Sequence, residues 1–176
     1  MRELEAADQI RELHEENLDI GFMRPFGFDL TGLQTRLVFR ENYKLVMPET
    51  HSLARGDRIT ARQLSGQSVI LFARDVNPAI FDRLTAALST GYAPPPEFRQ
   101  DARNKSSMLA MVKAGFGAAL LPESICRGPL PGLTVRTLDI PLPSVDILAV
   151  WNPAHRSRVL NRFLSLLPPE PGSAGG

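Results

Sequence analysis

At 176 residues and 43% hydrophobic content, the chain can bury a core as one domain or as two small lobes, which excludes global disorder. Its 20 basic and 19 acidic residues nearly cancel, so neither nucleic-acid phosphates nor an anionic membrane is the expected partner of its surface. Cys126 is the only cysteine, which excludes an internal disulfide and a cysteine-rich metal site. No apolar run reaches the length of a membrane span, and "MRELEAADQIRELHEE" is too charged for a signal peptide, so a cytoplasmic location is expected.

In chain order, "RELEA" reads as a strand cut short at its start, and "ADQIRELHEEN" as a helix with Ile10 and Leu13 at helical spacing. "LDIGFM" is a buried strand, and Arg24 to Gly32, with a proline and two glycines, is a loop. "TRLVFRE" and "YKLVMPE" are strands separated by Asn42, and "THSLARGDRITARQLSG" is a polar connection with one short helix. A strand, helix, strand alternation follows in "SVILF", "AIFDRLTAALSTG" and "PEFRQ". Met108, Leu109, Met111 and Val112 form the apolar stripe of a helix closing near Ala114, with Gly115 as the left-handed residue beyond it. Ala118 to Leu121, apolar on both faces, is a strand covered on both sides, and Pro122 fits the first position of a new helix. "LTVRTLDI" and "VDILAVW" are late strands joined across "PLPS". "HRSRVLNRFLSLL" is an amphipathic helix with Val159, Leu160, Phe163, Leu166 and Leu167 on one side, before a frayed tail.

Open α/β sheets hold ligands beyond the carboxyl ends of their strands, so the polar loops after strands are the candidate sites. Arg24 directly follows a buried strand, where a guanidinium can meet a carboxylate with two parallel hydrogen bonds; a surface ion pair with an aspartate is the alternative. Arg74, Asp75 and Asn77 precede a helix opening on Pro78, Ala79 and Ile80, whose backbone N–H groups can receive an anion, although Asn77 as a simple helix cap explains the pattern equally. Lys105, Ser106 and Ser107 begin the helix of Met108, and serine capping alone accounts for them.

Catalytic patterns are missing from the sequence. It has no G-x-S-x-G, P-loop or H-E-x-x-H, and His14, His51 and His155 lie far apart in polar stretches typical of solvated histidines. "AGFGA" follows a helix and precedes a strand, the reverse of the order a phosphate cradle needs. Cys126 beside Arg127 reads as a small buried hydrophobe, and the methionine stripe as core.

Taken together, "LDIGFMRP", "YKLVMPETHSLARGDRITARQLSGQSVILF" and "SMLAMVKAGFGAALLPES" resemble the effector-binding domain of LysR-type transcriptional regulators. The likeness runs in order from about Arg2 to Leu166. Its most specific parts are the strand followed by "P-x-x-H-x-L-A" and "I-x-x-x-x-L", and the "V-x-A-G-x-G-x-x-L-L-P" corner. The resemblance implies an α/β fold of two Rossmann-like lobes with the type 2 periplasmic-binding-protein topology. It places residues 1–67 and 141–167 in a first lobe, 68–140 in a second, and 168–176 in a disordered tail. The chain would cross between lobes near Gln67 to Val69 and near Asp139 to Ser144. The first lobe would lack the strand and helix with which the family begins the domain, and the family's winged helix-turn-helix would be absent, leaving DNA to a domain missing here.

By the same resemblance, a small-molecule effector is expected in the inter-lobe cleft. It would touch the turn at Ala6, Ala7 and Asp8, where the family often has a hydroxyl, the loop at Arg24, and the turn of Arg74, Asp75, Asn77, Pro78 and Ile80. In the branch that senses aromatic acids an arginine matching Arg24 lies at the cleft, so an aromatic or short carboxylate is the expected effector. The implied chain is not an enzyme, needs no cofactor or metal, and forms a homo-oligomer through elements matching Ala7 to Glu16 and Ile80 to Ser89. A stand-alone solute-binding protein of the same architecture is the competing function.

Overall fold

A computed structural model describes residues 4–91, 93–155 and 157–167. Its elements in chain order are α1 (Ala6–His14), β1 (Gly21–Met23), β2 (Gln34–Glu41), β3 (Tyr43–Pro48), β4 (Arg58–Thr60), α2 (Ala61–Leu64), β5 (Ser68–Phe72), α3 (Pro78–Ser89), β6 (Glu97–Ala102), α4 (Lys105–Lys113), β7 (Ala118–Pro122), β8 (Leu133–Asp139), β9 (Val145–Trp151) and α5 (Arg158–Leu166). The chain divides into two compact units, unit 1 from residues up to 40 and from 145 onward, and unit 2 from 41–144.

Unit 2 is built on a six-stranded mixed sheet in the order β4-β8-β3-β7-β5-β6. Alternation alone does not place a strand in a sheet, and β3 shows why. It pairs antiparallel with β7 on one side (Leu45 opposite Leu120) and with β8 on the other (Val46 opposite Val135). Residues 41–67 therefore belong to unit 2, not to the lobe expected to run to Gln67, and the first crossing lies at 40/41. The second lies at 144/145. β5 is parallel to both β6 and β7. Burial on both faces explains the continuous apolar runs of the central strands: Val69, Ile70 and Leu71 are fully buried, and all five residues of β7 are buried. Val46, Ile70, Met108, Val112, Ala119 and Leu121 pack into one cluster between the sheet and α4.

α4 ends as its sequence predicts. The Gly115 N–H donates to Val112 O and the Phe116 N–H to Met111 O, with Gly115 at φ +81, which is a Schellman closure. Gly117 is required for a different reason: a Cβ there would lie 2.4 Å from Ser68 O. Pro122 closes β7 in extended backbone, and a short 3₁₀ turn over Glu123–Arg127 follows it, so Pro122 is not the first helical residue. Glu41, the only buried charged residue among those described, accepts from both the backbone N–H and the hydroxyl of Ser124 at the start of that turn. β4, three residues inside the polar connection, was not expected from the sequence; it pairs parallel with β8.

Unit 1 has a three-stranded sheet in the order β1-β9-β2. Gly21 lies opposite Val150 and Met23 opposite Leu148 in the antiparallel β1–β9 pair. Leu13 from α1, Met23 and Val150 form its buried centre. The strand expected at "RELEA" is not formed at its described residues: Leu4 and Glu5 lie outside any strand and Ala6 opens α1. Alanine is the best helix former, so Ala6 and Ala7 take the first turn, with Glu5 extended ahead of it. β1 is shorter than the expected run from Leu18, because the chain first wraps the end of α1, where the Asn17 and Leu18 N–H groups both donate to Glu12 O.

α5 corrects a second expectation. Of the five residues placed on its apolar side, Leu160 is buried, whereas Val159 and Leu166 are 77% and 76% exposed. A sheet three strands wide offers a narrow seat for a helix, since each strand adds only about 5 Å. Phe163 instead meets Phe22 edge-on, with ring centroids 6.1 Å apart. Arg36 holds the helix end through a 2.6 Å hydrogen bond to Leu164 O, and Arg40 forms a bidentate pair with Asp146, both bonds 2.7 Å. The expected tail, 168–176, lies outside the described residues.

Candidate functional site

The residues expected to contact a ligand fall on both units. In unit 2 they gather at the carboxyl end of β5. Parallel β5 and β6 finish side by side, with Phe72 opposite Ala102 and the Ala73 N–H donating to Ala102 O at 2.7 Å. Both chains then turn into helices, so the starts of α3 and α4 lie next to each other. Asp75 and Arg103 tie the two turns together at 2.7 Å.

Each helix start is capped by an asparagine. Asn77 Oδ1 accepts from Ile80 N at 3.2 Å, and Asn104 Oδ1 accepts from Ser107 N at 2.9 Å. The Phe81 and Met108 N–H groups bond to the carbonyls of the same two asparagines. Pro78 has no N–H, so Ala79 in α3 and Lys105 and Ser106 in α4 keep backbone donors that find no partner among the described residues. Their direction along the helix axes makes the spot electropositive.

The side chains named from the sequence take different roles. Arg74 has its planar fork filled by Asp82, at 2.8 and 2.7 Å, and this guanidinium holds the Asp82 carboxyl below the usual carboxylate range. Asp75 is engaged by Arg103. Ile80 is buried in the core beneath α3, so what it offers is backbone already used by Asn77. The sequence points to Lys105, Ser106 and Ser107 with serine as the cap, but the cap is Asn104, and neither Asn104 nor Arg103 is singled out by it. The "RNKSS" stretch carried the signal, but only the β5–β6 register shows that it lies beside Asn77.

In unit 1, Arg24 follows β1 and is exposed, with no hydrogen bond or ion pair to any described residue. The surface-pair alternative is thus not what the structure contains. Ala6, Ala7 and Asp8 form the first turn of α1, and Asp8 is paired with Arg11 at 2.8 Å. His155 bridges Asp19 and Glu16, at 2.9 and 3.4 Å, and those carboxylates raise its pKa. Burial pushes the Cys126 thiol up to about 11, in keeping with a packing role. Among the described residues no group of His, Cys, Asp and Glu is arranged to hold a metal, and no helix is long and apolar enough to cross a membrane.

Comparison with known proteins matches this arrangement to one family. The model of the LysR substrate binding domain matches residues 1–170. The transcriptional regulator BudR of Raoultella terrigena is 28% identical over 160 residues, covering 91% of this chain and 55% of BudR. TtuA of Agrobacterium vitis is 30% identical over 162 residues, covering 90% of this chain and 53% of TtuA. The chain therefore spans about half the length of these curated relatives. Among solved structures, the LysR family regulator CbnR superposes with a TM-score of 0.77 at 19% identity, over 92% of this chain and 55% of CbnR. The effector binding domain of QuiR in complex with shikimate superposes with a TM-score of 0.70 at 18% identity, over 91% of this chain and 75% of that one. The fold is that of LysR effector-binding domains, with the type 2 periplasmic-binding-protein topology. The chain belongs to the LysR substrate binding domain family.

Proposed function

We propose that this chain is the effector-sensing part of a LysR-type transcriptional regulator and that its effector is a small acidic molecule. On unit 1 Arg24 offers a planar fork for a carboxylate, and on unit 2 the open N–H groups of Ala79, Lys105 and Ser106 offer backbone donors. The observation that carries the reading is the exposed guanidinium of Arg24 at the end of β1, unpaired among the described residues, because the other arginine of the expected site, Arg74, is already saturated by Asp82. Effector binding shifts the protein toward the conformation that binds it better, and the gain is limited by that difference in affinity. No bond is made or broken in this scheme, the protein works in the cytoplasm, and DNA is contacted by a helix-turn-helix domain outside this chain. Self-association through α1 of one copy and α3 of another completes the reading.

Calorimetric titration with a panel of aromatic and short-chain carboxylates, shikimate included, tests it. Arg24→Ala weakens binding of the acid that the parent chain binds by roughly a hundredfold, the loss of a charge-assisted bidentate pair. Arg24→Lys recovers part of the loss, because an ammonium lacks the planar fork. Unchanged affinity in Arg24→Ala overturns the assignment.

A further inference from the structure

A second concavity lies on unit 2 at the other end of the same sheet. It is an open cavity of about 510 Å³ where β3 ends and β5 and β7 begin, lined by Pro48, His51, Ser68, Arg99, Phe116 and Gly117 among others. β5 separates it from the turns of Asn77 and Asn104 by its full five-residue length, roughly 13 Å.

Every polar side chain that lines this cavity can donate a hydrogen bond: a guanidinium, an imidazole, two hydroxyls and an amide. The Arg99 guanidinium lies over the Phe116 ring, 5.9 Å from its centroid, and has no hydrogen bond or ion pair with any described residue. That stacking orients the fork without using its N–H groups. Phe116 is itself held half-exposed by the Schellman closure of α4, which fixes its backbone. Across the cavity, His51 Nδ1 accepts from Leu53 N at 3.2 Å, so in the neutral ring the proton sits on Nε2. Partial burial lowers the His51 pKa and keeps the ring neutral at pH 7. The Thr50 and Ser68 hydroxyls and the Gln67 amide complete the lining, and none of these three side chains is engaged elsewhere among the described residues. Among the described residues no carboxylate lines the cavity. Glu97 shares a sheet face with Arg99 by strand alternation, yet the two make no ion pair.

Close backbone approach builds the floor. Gly117 sits against Ser68 where no larger residue fits, and Gly115, at φ +81, lets the loop turn back beside Arg99. A preformed hollow of this size, with convergent donors and one stacked cation, has the make-up of a small-ligand site.

We propose that this cavity is a second ligand site, for a small organic anion whose carboxylate or phosphate oxygens are taken by the Arg99 fork, with His51 Nε2–H and the Thr50 and Ser68 hydroxyls as further donors. It is separate from the Arg24 site and does not depend on it.

Two-dimensional amide NMR of the whole chain, titrated separately with benzoate, succinate and inorganic phosphate, is the test. Saturable shifts centred on His51, Ser68, Arg99 and Phe116 are expected, with the carboxylates or phosphate distinguishing the two oxyanion chemistries. Arg99→Gln weakens that binding about tenfold or more, the loss expected for a charge-assisted contact. The same variant changes the thermal midpoint little, because Arg99 is exposed and, apart from its stacking on Phe116, has no hydrogen bond or ion pair among the described residues. Phe116→Ala weakens binding less, by removing the platform and not the charge. Shifts confined to Arg24, Asn77 and Asn104, or equal affinity in Arg99→Gln, overturn the proposal while leaving the Arg24 site standing. Absence of saturable shifts with all three probes overturns it as well.

Discussion

The two units are made from the same vocabulary of strands and helices, yet they bury it to different degrees. Unit 2 seats helices against a six-stranded sheet whose central strands are inaccessible on both faces. Among the described residues unit 1 has three strands, a core centred on Leu13, Met23 and Val150, and a last helix that leaves two large aliphatic side chains more than three-quarters exposed. Burial per residue is the main source of stability, so the difference teaches that one chain can carry a firm unit and a marginal one. The residues proposed to bind ligand are divided between them, with the rigid donors on the firm unit and Arg24 on the marginal one.

Core truncation separates the units most strongly. Leu121→Ala, in β7 between β3 and β5, removes a buried side chain and destabilises unit 2 by about 2–5 kcal/mol. Leu13→Ala acts with similar chemistry on unit 1 alone. Trp151, the only tryptophan, lies in β9 and reports unit 1, whereas far-ultraviolet circular dichroism reports both. The fluorescence transition in urea is expected to precede the dichroism transition, to move with Leu13→Ala, and to respond little to Leu121→Ala. Coincident transitions in all three proteins would make the molecule one cooperative unit.

A smaller effect sharpens the account of unit 2. Glu41→Ala leaves the Ser124 N–H without its carboxylate and costs about 1–3 kcal/mol, whereas Ser124→Ala, which removes the hydroxyl alone, costs about 1 kcal/mol. Urea titration followed by dichroism checks the order. Equal losses from the two variants would shift the weight from the backbone bond to the hydroxyl.

The mildest effect belongs to unit 1 and depends on pH. Asp19 and Glu16 raise the His155 pKa above the ordinary 6.5 that the unfolded chain retains. The stabilisation is complete below that unfolded value and is lost as pH rises through the higher folded value. Thermal midpoints read by Trp151 fluorescence therefore fall slightly from just below pH 6.5 upward, and His155→Asn flattens that slope. An unaltered slope in the variant would assign the dependence to another group.

How far the sequence discloses this division depends on whether the deciding contact is local. β5 matches its apolar run residue for residue, and the end of α4 follows from Gly115, because both are set by near neighbours. The unit to which β3 belongs is decided by β7 and β8, more than seventy residues later, so "YKLVMP" reads identically whichever sheet receives it. The α5 stripe has a helical period, but period says nothing of whether a wide enough surface waits beneath it. At the candidate site, Arg24 and Asn77 were visible as loop residues after strands. That Arg74 is neutralised by Asp82, or that Asn104 stands beside Asn77, depends on side-chain geometry and strand register that no spacing encodes.

The bidentate bond between Arg40 and Asp146 has a further consequence, for how such a chain can be rearranged. The last residue before unit 2 and the second residue after it are held 2.7 Å apart, side chain to side chain, so in polymer terms the whole of 41–144 is one closed loop hanging from unit 1. Loop-closure cost grows only with the logarithm of length, by about 0.6 kcal/mol for each doubling. Lengthening, shortening or transplanting that insert changes the closure cost little as long as its two ends still meet at the staple. Unit 2 is accordingly, in topology, an insertion between β2 and β9 whose length is only weakly constrained by the cost of closing it.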